Sequence, residues 1–211
     1  MRALIFTGGE MKDYQRYIEY MDKSDLIICA DSGVCHAIKM GIKPHILVGD
    51  MDSIDLEELE EIKNSGIEVR TFPREKDFTD TQLALELALE RGADKAVVLG
   101  GWGNRPDHSI ANMFLMVEYK NRGLEVTLAG DNWEMFLIDG EKEILGKKGD
   151  ILSLIPLSAK VSGVETINLY YPLKDETLLM GPARGISNVL LSERASVKIK
   201  KGLLLAIKII I

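Results

Sequence analysis

From residue 3 to residue 128, short apolar runs alternate with segments of helical spacing, and this alternation restricts the fold more than any other feature. Residues 3–6, 26–30, 46–48, 69–72, 96–99 and 126–128 read as strands. Between them, residues 11–21, 34–40, 56–64, 81–90 and 110–120 read as helices. Gly41, Gly66, Gly92 and Gly123 stand where four of those helices stop, and Asp55 and Glu58 are spaced as a capping box before residues 56–64. Strand and helix alternating at this pace predict a mostly parallel, doubly wound sheet with helices on both faces. After Gly130 the helices vanish. Strand candidates at 135–138, 151–155, 159–161, 167–171, 195–199 and 204–211 follow, punctuated by glycines. That pattern predicts a small antiparallel all-β sandwich or barrel. The expected organisation is an α/β domain over residues 1–130 and a β-sandwich over 131–211.

Charge and cysteine usage narrow the function classes. A net charge of -7 is unlike the basic stripe of a general nucleic-acid binder, so no nucleic-acid partner is expected. The longest apolar run, 203–211, is interrupted by Lys208 and is too short to span a bilayer as a helix, so no membrane partner is expected either. The chain opens on a short strand rather than a secretory leader, and a cytoplasmic location is expected. Cys29 and Cys35 lack metal-finger spacing and are expected to be buried, reduced thiols. Trp133 is expected to pack in a core or an interface.

Four short acidic motifs follow predicted strands: Asp31-Ser32-Gly33, Gly49-Asp50-Met51-Asp52-Ser53, Lys76-Asp77-Phe78-Thr79-Asp80 and Arg105-Pro106-Asp107-His108. In an open parallel sheet, ligands bind beyond the carboxyl ends of the strands, so all four fall on the ligand-binding edge. One aspartate in a loop is usually a turn former or cap; four such motifs on one edge form a cluster that needs a cation or protons to neutralise it. Asp50 and Asp52, two apart in an extended segment, point to the same side and suit Mg²⁺, which takes one or two carboxylates plus phosphate oxygens. Asp77 and Asp80 precede a helix for which Thr79 or Asp80 is the cap, and a helix start also receives anions. Gln82 in the first turn is a hydrogen-bonding candidate, and Arg74 and Lys76 are candidate phosphate partners. Residues 100–108 form a glycine-rich loop that lets backbone approach a ligand, yet it is no Walker A loop. Within it Arg105 is a candidate phosphate clamp, Asp107 a candidate to orient either Arg105 or a metal-bound water, and His108 a candidate helix cap or base.

The ordered set of motifs resembles the thiamine pyrophosphokinase family. The resemblance is carried by Asp31-Ser32-Gly33, residues 49–53, residues 76–80, and residues 100–108 with Asn112, and it continues through Tyr171-Pro172-Leu173 and Gly185-Ile186-Ser187-Asn188. It implies a catalytic α/β domain, a C-terminal β-sandwich, and a homodimer with thiamine bound where subunits meet. It also implies transfer of the diphosphoryl group of ATP to thiamine, with Mg²⁺. The metal and phosphate-handling acids map onto Asp50, Asp52, Asp77 and Asp80, with Asp31 nearby. Ser187, Asn188 and Tyr171 fall on the thiamine side. Where some relatives carry Trp-Asn-Leu against the thiamine ring, this chain has Ile167-Asn168-Leu169. A diphosphokinase for another hydroxymethyl heterocycle, such as a pterin, and a non-catalytic nucleotide sensor are the alternatives at this stage.

Overall fold

Strands β1 (Arg2–Phe6), β2 (Leu26–Ala30), β3 (Ile46–Gly49) and β5 (Lys95–Leu99) are apolar along nearly their whole length, as strands covered on both faces must be. The computed structural model, which describes residues 1–52, 54, 60–62, 64–75 and 77–211, sets them with β4 (Glu68–Thr71) and β6 (Glu125–Gly130) in the order β6-β5-β1-β2-β3-β4. Every pairing among these six is parallel. They belong to the first of two units, Met1–Asp131. The chain builds outward from β1 to β4, then returns to the other side of β1 with β5. The crevice between β1 and β5 is therefore the point where the strand order reverses.

Alternate residues of a strand face opposite sides of the sheet. Leu4, Phe6, Cys29, Leu47, Val97 and Leu99 join Tyr17, Tyr20, Val34 and Ala37 in one apolar cluster. Their neighbours Ala3, Ile5, Ile28, Ile46, Val48 and Val98 are equally buried, and helix Asp80–Glu90 packs on β1, β2 and β3. Each fully buried Leu or Ile contributes roughly 1.5–3 kcal/mol, so covering both faces is the main stabilisation of this sheet. At its edge β4 carries Glu68, whose carboxylate pairs with Arg70 and with Arg91, both at 2.6 Å. Charges of this kind discourage edge-to-edge pairing.

The helix expected over 11–21 forms only in part. Tyr14–Tyr17 is a 3-10 turn and Ile18–Met21 a single α turn. The three-residue spacing of Tyr14, Tyr17 and Tyr20 suits the 3-10 repeat. Asp131 accepts the N–H groups of Lys12 and Asp13 at 3.1 and 3.2 Å and the Tyr17 hydroxyl at 2.6 Å, so those amides are used outside a helix. Helix Pro106–Asn121 begins four residues earlier than expected, because Pro106 takes a first-turn position, where its missing N–H costs nothing. Asp107 and His108 are thus helical, not part of the loop. Asp55, Glu58 and most of the helix expected over 56–64 lie outside the described residues. Cys29 and Cys35 are free thiols; Cys29 is buried, and Cys35, on the short helix Val34–Lys39, is partly buried and packs against the same apolar cluster. No helix among the described residues is long and apolar enough to cross a membrane.

The second unit, Asn132–Ile211, is all β. Strands β7 (Trp133–Ile138), β9 (Ile151–Pro156), β12 (Asn188–Val189) and β14 (Leu204–Ile209) pair antiparallel in the order β12-β9-β14-β7. Strands β8 (Glu141–Leu145), β10 (Lys160–Ile167), β11 (Glu176–Leu179) and β13 (Arg194–Lys198) pair antiparallel in the order β11-β10-β13-β8. Phe136, Leu152, Leu154 and Leu204 from the first set and Ile144, Val161, Val164 and Val197 from the second meet in one core, which makes the unit a sandwich. The strand expected over 167–171 is absent: β10 ends at Ile167, and Asn168 turns the chain with φ +60°. Strands β8, β11 and β12 carry too few apolar residues to be read from sequence. Trp133, half-buried, starts β7 opposite Ile209.

Candidate functional site

The carboxyl ends of β1 and β5 flank the reversal point, and both continue into glycine. Thr7 ties them together: its N–H and its hydroxyl both donate to the Leu99 carbonyl, each at 2.9 Å. Gly9 and Gly100 pack so closely that a Cβ on Gly9 would collide with the Gly100 carbonyl. Above them opens a cavity of about 450 Å³. Its wall is built from Thr7–Glu10, Ala30–Ser32, Thr79–Thr81, the 100–105 loop, His108, Ser109 and Asn112. The first turns of helices Asp80–Glu90 and Pro106–Asn121 both contribute to that wall. Helix starts and glycine-rich turns present backbone N–H groups, which suits a polyanion.

Two side chains hold the glycine loop in shape. Asn112 Nδ2 donates to the Gly101 carbonyl at 2.7 Å, and both groups are buried. The Gly103 N–H donates to Ser109 Oγ at 3.1 Å, while that hydroxyl donates to the Arg105 carbonyl at 2.9 Å. Ser109 carried no signal in the sequence reading, and Asn112 entered only with the resemblance. Polar residues at i and i+3 in the first turns after a glycine loop would have been the clue. Replacing Asn112 by Ala leaves a buried carbonyl without its donor, and we expect a loss of about 1–3 kcal/mol in urea-unfolding stability. An unchanged midpoint would show that water takes over the bond.

Beside the cavity the acids meet, Asp31 being the one of them that also lines it. The register of β2 against β3 sets Ala30 opposite Val48, so the next residues, Asp31 and Gly49, fall side by side. A Cβ on Gly49 would stand 3.1 Å from the Asp31 Cβ; glycine keeps that approach open. Carboxylate oxygens of Asp31, Asp50 and Asp52 all lie within 4.8 Å of one another. Asp31 and Met51 adopt left-handed backbone at φ +46° and +64°. Such strain costs about 1–3 kcal/mol per residue and is tolerated where function demands the geometry. The Asp52 N–H donates to Asp50 Oδ1 at 3.2 Å, and Arg74 stands 3.5 Å from Asp52.

The remaining sequence candidates distribute as follows. Ser32, Thr79, Asp80, Arg105 and His108 line the cavity. Thr79 is the helix cap, its Oγ1 accepting the Gln82 N–H at 3.2 Å, while the Gln82 carbonyl accepts the Tyr119 hydroxyl. Asp77 is exposed and, among the described residues, belongs to neither the acidic trio nor the cavity wall. Asp107 is held by Arg105 through contacts of 2.6 and 3.0 Å, and this guanidinium keeps its carboxyl well below the usual range. His108 does not cap its helix; Arg105 occupies the cap position without a side-chain bond, and Ser109 serves the loop instead. Lys76 lies outside the described residues. In the second unit Asn188 is buried and clamps Tyr171, accepting its N–H at 2.9 Å and donating to its carbonyl at 2.7 Å. Ser187 is exposed at φ +57° and donates its N–H to Ser153 Oγ at 3.0 Å. Tyr170 and Tyr171 stand exposed with rings edge to face at 4.8 Å, and Ile167 is also exposed.

Three close carboxylates beside a cradle for a polyanion can hold a divalent cation together with phosphate oxygens. Opposite ligands on a Mg²⁺ stand roughly 4 Å apart, so the spacing of Asp31, Asp50 and Asp52 fits one ion.

The family model for the catalytic domain of thiamin pyrophosphokinase matches residues 17–128, and that for its vitamin B1 binding domain matches residues 138–204. Thiamine pyrophosphokinase of Bacillus subtilis is 29% identical over 206 residues, covering 97% of this chain and 96% of the relative. Thiamine pyrophosphokinase 1 of Oryza sativa subsp. japonica is 25% identical over 201 residues, covering 82% of this chain and 74% of the relative. The crystal structure of the Bacillus subtilis thiamine pyrophosphokinase superposes over 100% of both chains with a TM-score of 0.90 at 27% identity. That of Candida albicans, at 18% identity, shares the fold with a TM-score of 0.81 over 99% of this chain and 88% of its own.

Proposed function

The chain belongs to the thiamin pyrophosphokinase family, and we propose, on that premise, how its residues divide the work of transferring the diphosphoryl group of ATP to the hydroxyl of thiamine, with thiamine diphosphate and AMP as products. The meeting of Asp31, Asp50 and Asp52 beside the β1–β5 cavity is the observation that supports this reading most. The thiamine hydroxyl oxygen attacks the β-phosphorus. The bond from that phosphorus to the oxygen bridging to the α-phosphorus breaks, and AMP leaves with the electron pair. The hydroxyl proton passes to solvent water as the new bond forms. Little covalent work falls to the protein in such a transfer; alignment and charge neutralisation carry it.

Asp31, Asp50 and Asp52 would hold Mg²⁺, and Asp80, which lines the cavity but lies outside that close trio, adds a further carboxylate, with Asp77 in the loop that leads to it. When bound, Mg²⁺ neutralises polyphosphate charge. Arg105 and Lys76, with Arg74 beside Asp52, pair with phosphate oxygens. Asp107 keeps the Arg105 fork aimed. Ser32, Thr79, Gln82 and His108 complete the ATP side. Residues 131–211 supply the thiamine side, with Ser187, Asn188 and Tyr171 as its candidates, and two copies pair as a homodimer. The match of residues 138–204 to a vitamin B1 binding domain supports thiamine over a pterin as acceptor. The free thiols Cys29 and Cys35 suit a reducing compartment, and a cytoplasmic location follows from that reading.

The test is direct. Purified protein with ATP, thiamine and MgCl₂ forms thiamine diphosphate and AMP in equal amounts, and EDTA stops it. Accumulation of ADP in place of AMP, or turnover with hydroxymethylpterin but not thiamine, would overturn the assignment.

A further inference from the structure

His36 sits behind the cavity wall, on helix Val34–Lys39, half-buried and bonded at both ring nitrogens. Nε2 meets the Gly9 carbonyl oxygen at 2.9 Å, and Nδ1 meets the Tyr14 hydroxyl at 2.7 Å. A carbonyl only accepts, so Nε2 carries the hydrogen, and in the neutral ring Nδ1 accepts from Tyr14. Burial pushes the imidazole pKa down, which favours that neutral form.

The consequence falls on a peptide of the cavity itself. Gly9 and Glu10 both line the cavity, and no peptide bond among the described residues is cis. In a trans peptide the C=O and the following N–H point in opposite directions. With the Gly9 carbonyl directed at His36, the Glu10 N–H is directed away from His36. Gly8 and Gly9 have no side chains to choose this orientation, and glycine accepts backbone conformations of either sign. The reversed peptide would turn a carbonyl oxygen toward the polyphosphate, where two acceptors face each other without a proton between them.

We propose that His36, braced by Tyr14, is a positioning residue for the ATP site: it holds the Gly9–Glu10 peptide so that the Glu10 N–H is offered to a phosphate oxygen of ATP and the Gly9 carbonyl is turned away. This deepens the reading of the cavity as the ATP site and rests on it. The bond serves bound ATP before and during transfer alike, so its loss acts on KM more than on kcat.

His36→Leu removes the donor, and His36→Gln restores an N–H at similar reach. The loss of one hydrogen bond to a bound phosphate should raise the KM for ATP about tenfold in His36→Leu, with the KM for thiamine unchanged. His36→Gln should recover a KM for ATP close to native. A native KM for ATP in His36→Leu, an equal rise in both KM values, or a His36→Gln variant as impaired as His36→Leu would each overturn the proposal. A measurement on the unmodified protein covers a variant that fails to fold. The Glu10 amide resonance should move when the protein is saturated with α,β-methylene ATP. If the analogue binds and the resonance stays, the proposal is wrong while the ATP reading stands. If the analogue does not bind at all, the ATP reading fails and this inference with it.

Discussion

Asp50→Asn yields a folded protein that forms thiamine diphosphate on the order of a thousandfold more slowly than the native chain. The argument is electrostatic. Three carboxylates within 4.8 Å repel one another and gain from a bound dication. Exchanging one for an amide removes a full negative charge and weakens both cation binding and its hold on the phosphates. Metal-assisted charge stabilisation is worth several kcal/mol, and about 4 kcal/mol corresponds to a thousandfold in rate. Folding should not suffer, because the asparagine oxygen can still accept the Asp52 N–H that Asp50 Oδ1 accepts now at 3.2 Å. Without metal the variant should even melt no lower than native, since a like-charge contact has been relieved. Asp31→Asn should behave in the same way, as asparagine tolerates the left-handed backbone at φ +46°. Steady-state rates and thermal melts with MgCl₂ and with EDTA decide it. The native protein should gain stability from Mg²⁺ and Asp50→Asn should not. Near-native turnover in Asp50→Asn would remove the trio from the mechanism.

That Asp31 belongs to this trio shows where sequence reasoning ends. The strands were legible because parallel strands buried on both faces appear as unbroken apolar runs, such as 3–6 and 96–99. Placing the acids on one edge needed only the direction of those strands. Bringing Asp31 beside Asp50 rather than Asp77 needed the register of β2 on β3, which no local pattern encodes. The reversal point between β1 and β5 was hidden for the same reason: it depends on which side of β1 the fifth strand joins. Helix 11–21 was misjudged because a three-residue tyrosine spacing serves a 3-10 turn as well as an α-helix, and a distant acid, Asp131, takes its amides. In the second unit β8, with sequence Glu-Lys-Glu-Ile-Leu, buries only Ile144 deeply, so its one inward side chain gave no alternation to read.

The close approach of β1 and β5 leaves Gly100 no room for a side chain, and Gly100→Ala should lose about 2–4 kcal/mol of stability together with ATP binding. Two costs add. Gly100 sits at φ +70°, where an L-residue is strained by about 1 kcal/mol. A Cβ there would stand 2.6 Å from the Thr7 carbonyl oxygen and 3.1 Å from that of Gly9. Both are backbone atoms that cannot swing aside as a side chain would. Relief therefore means moving β1 away from β5, which opens the Thr7 bonds to Leu99 and widens the cavity floor. Gly123→Ala separates the two costs. Gly123 has φ +92° at the end of helix Pro106–Asn121, and a Cβ there meets nothing within 4 Å. It should lose only the strain, about 1 kcal/mol, and keep native ATP affinity. Urea unfolding and nucleotide titration of both variants make the comparison. If Gly100→Ala loses no more than Gly123→Ala, the packing of β1 against β5 is loose enough to yield, and the close approach of Gly9 and Gly100 does not shape the cavity.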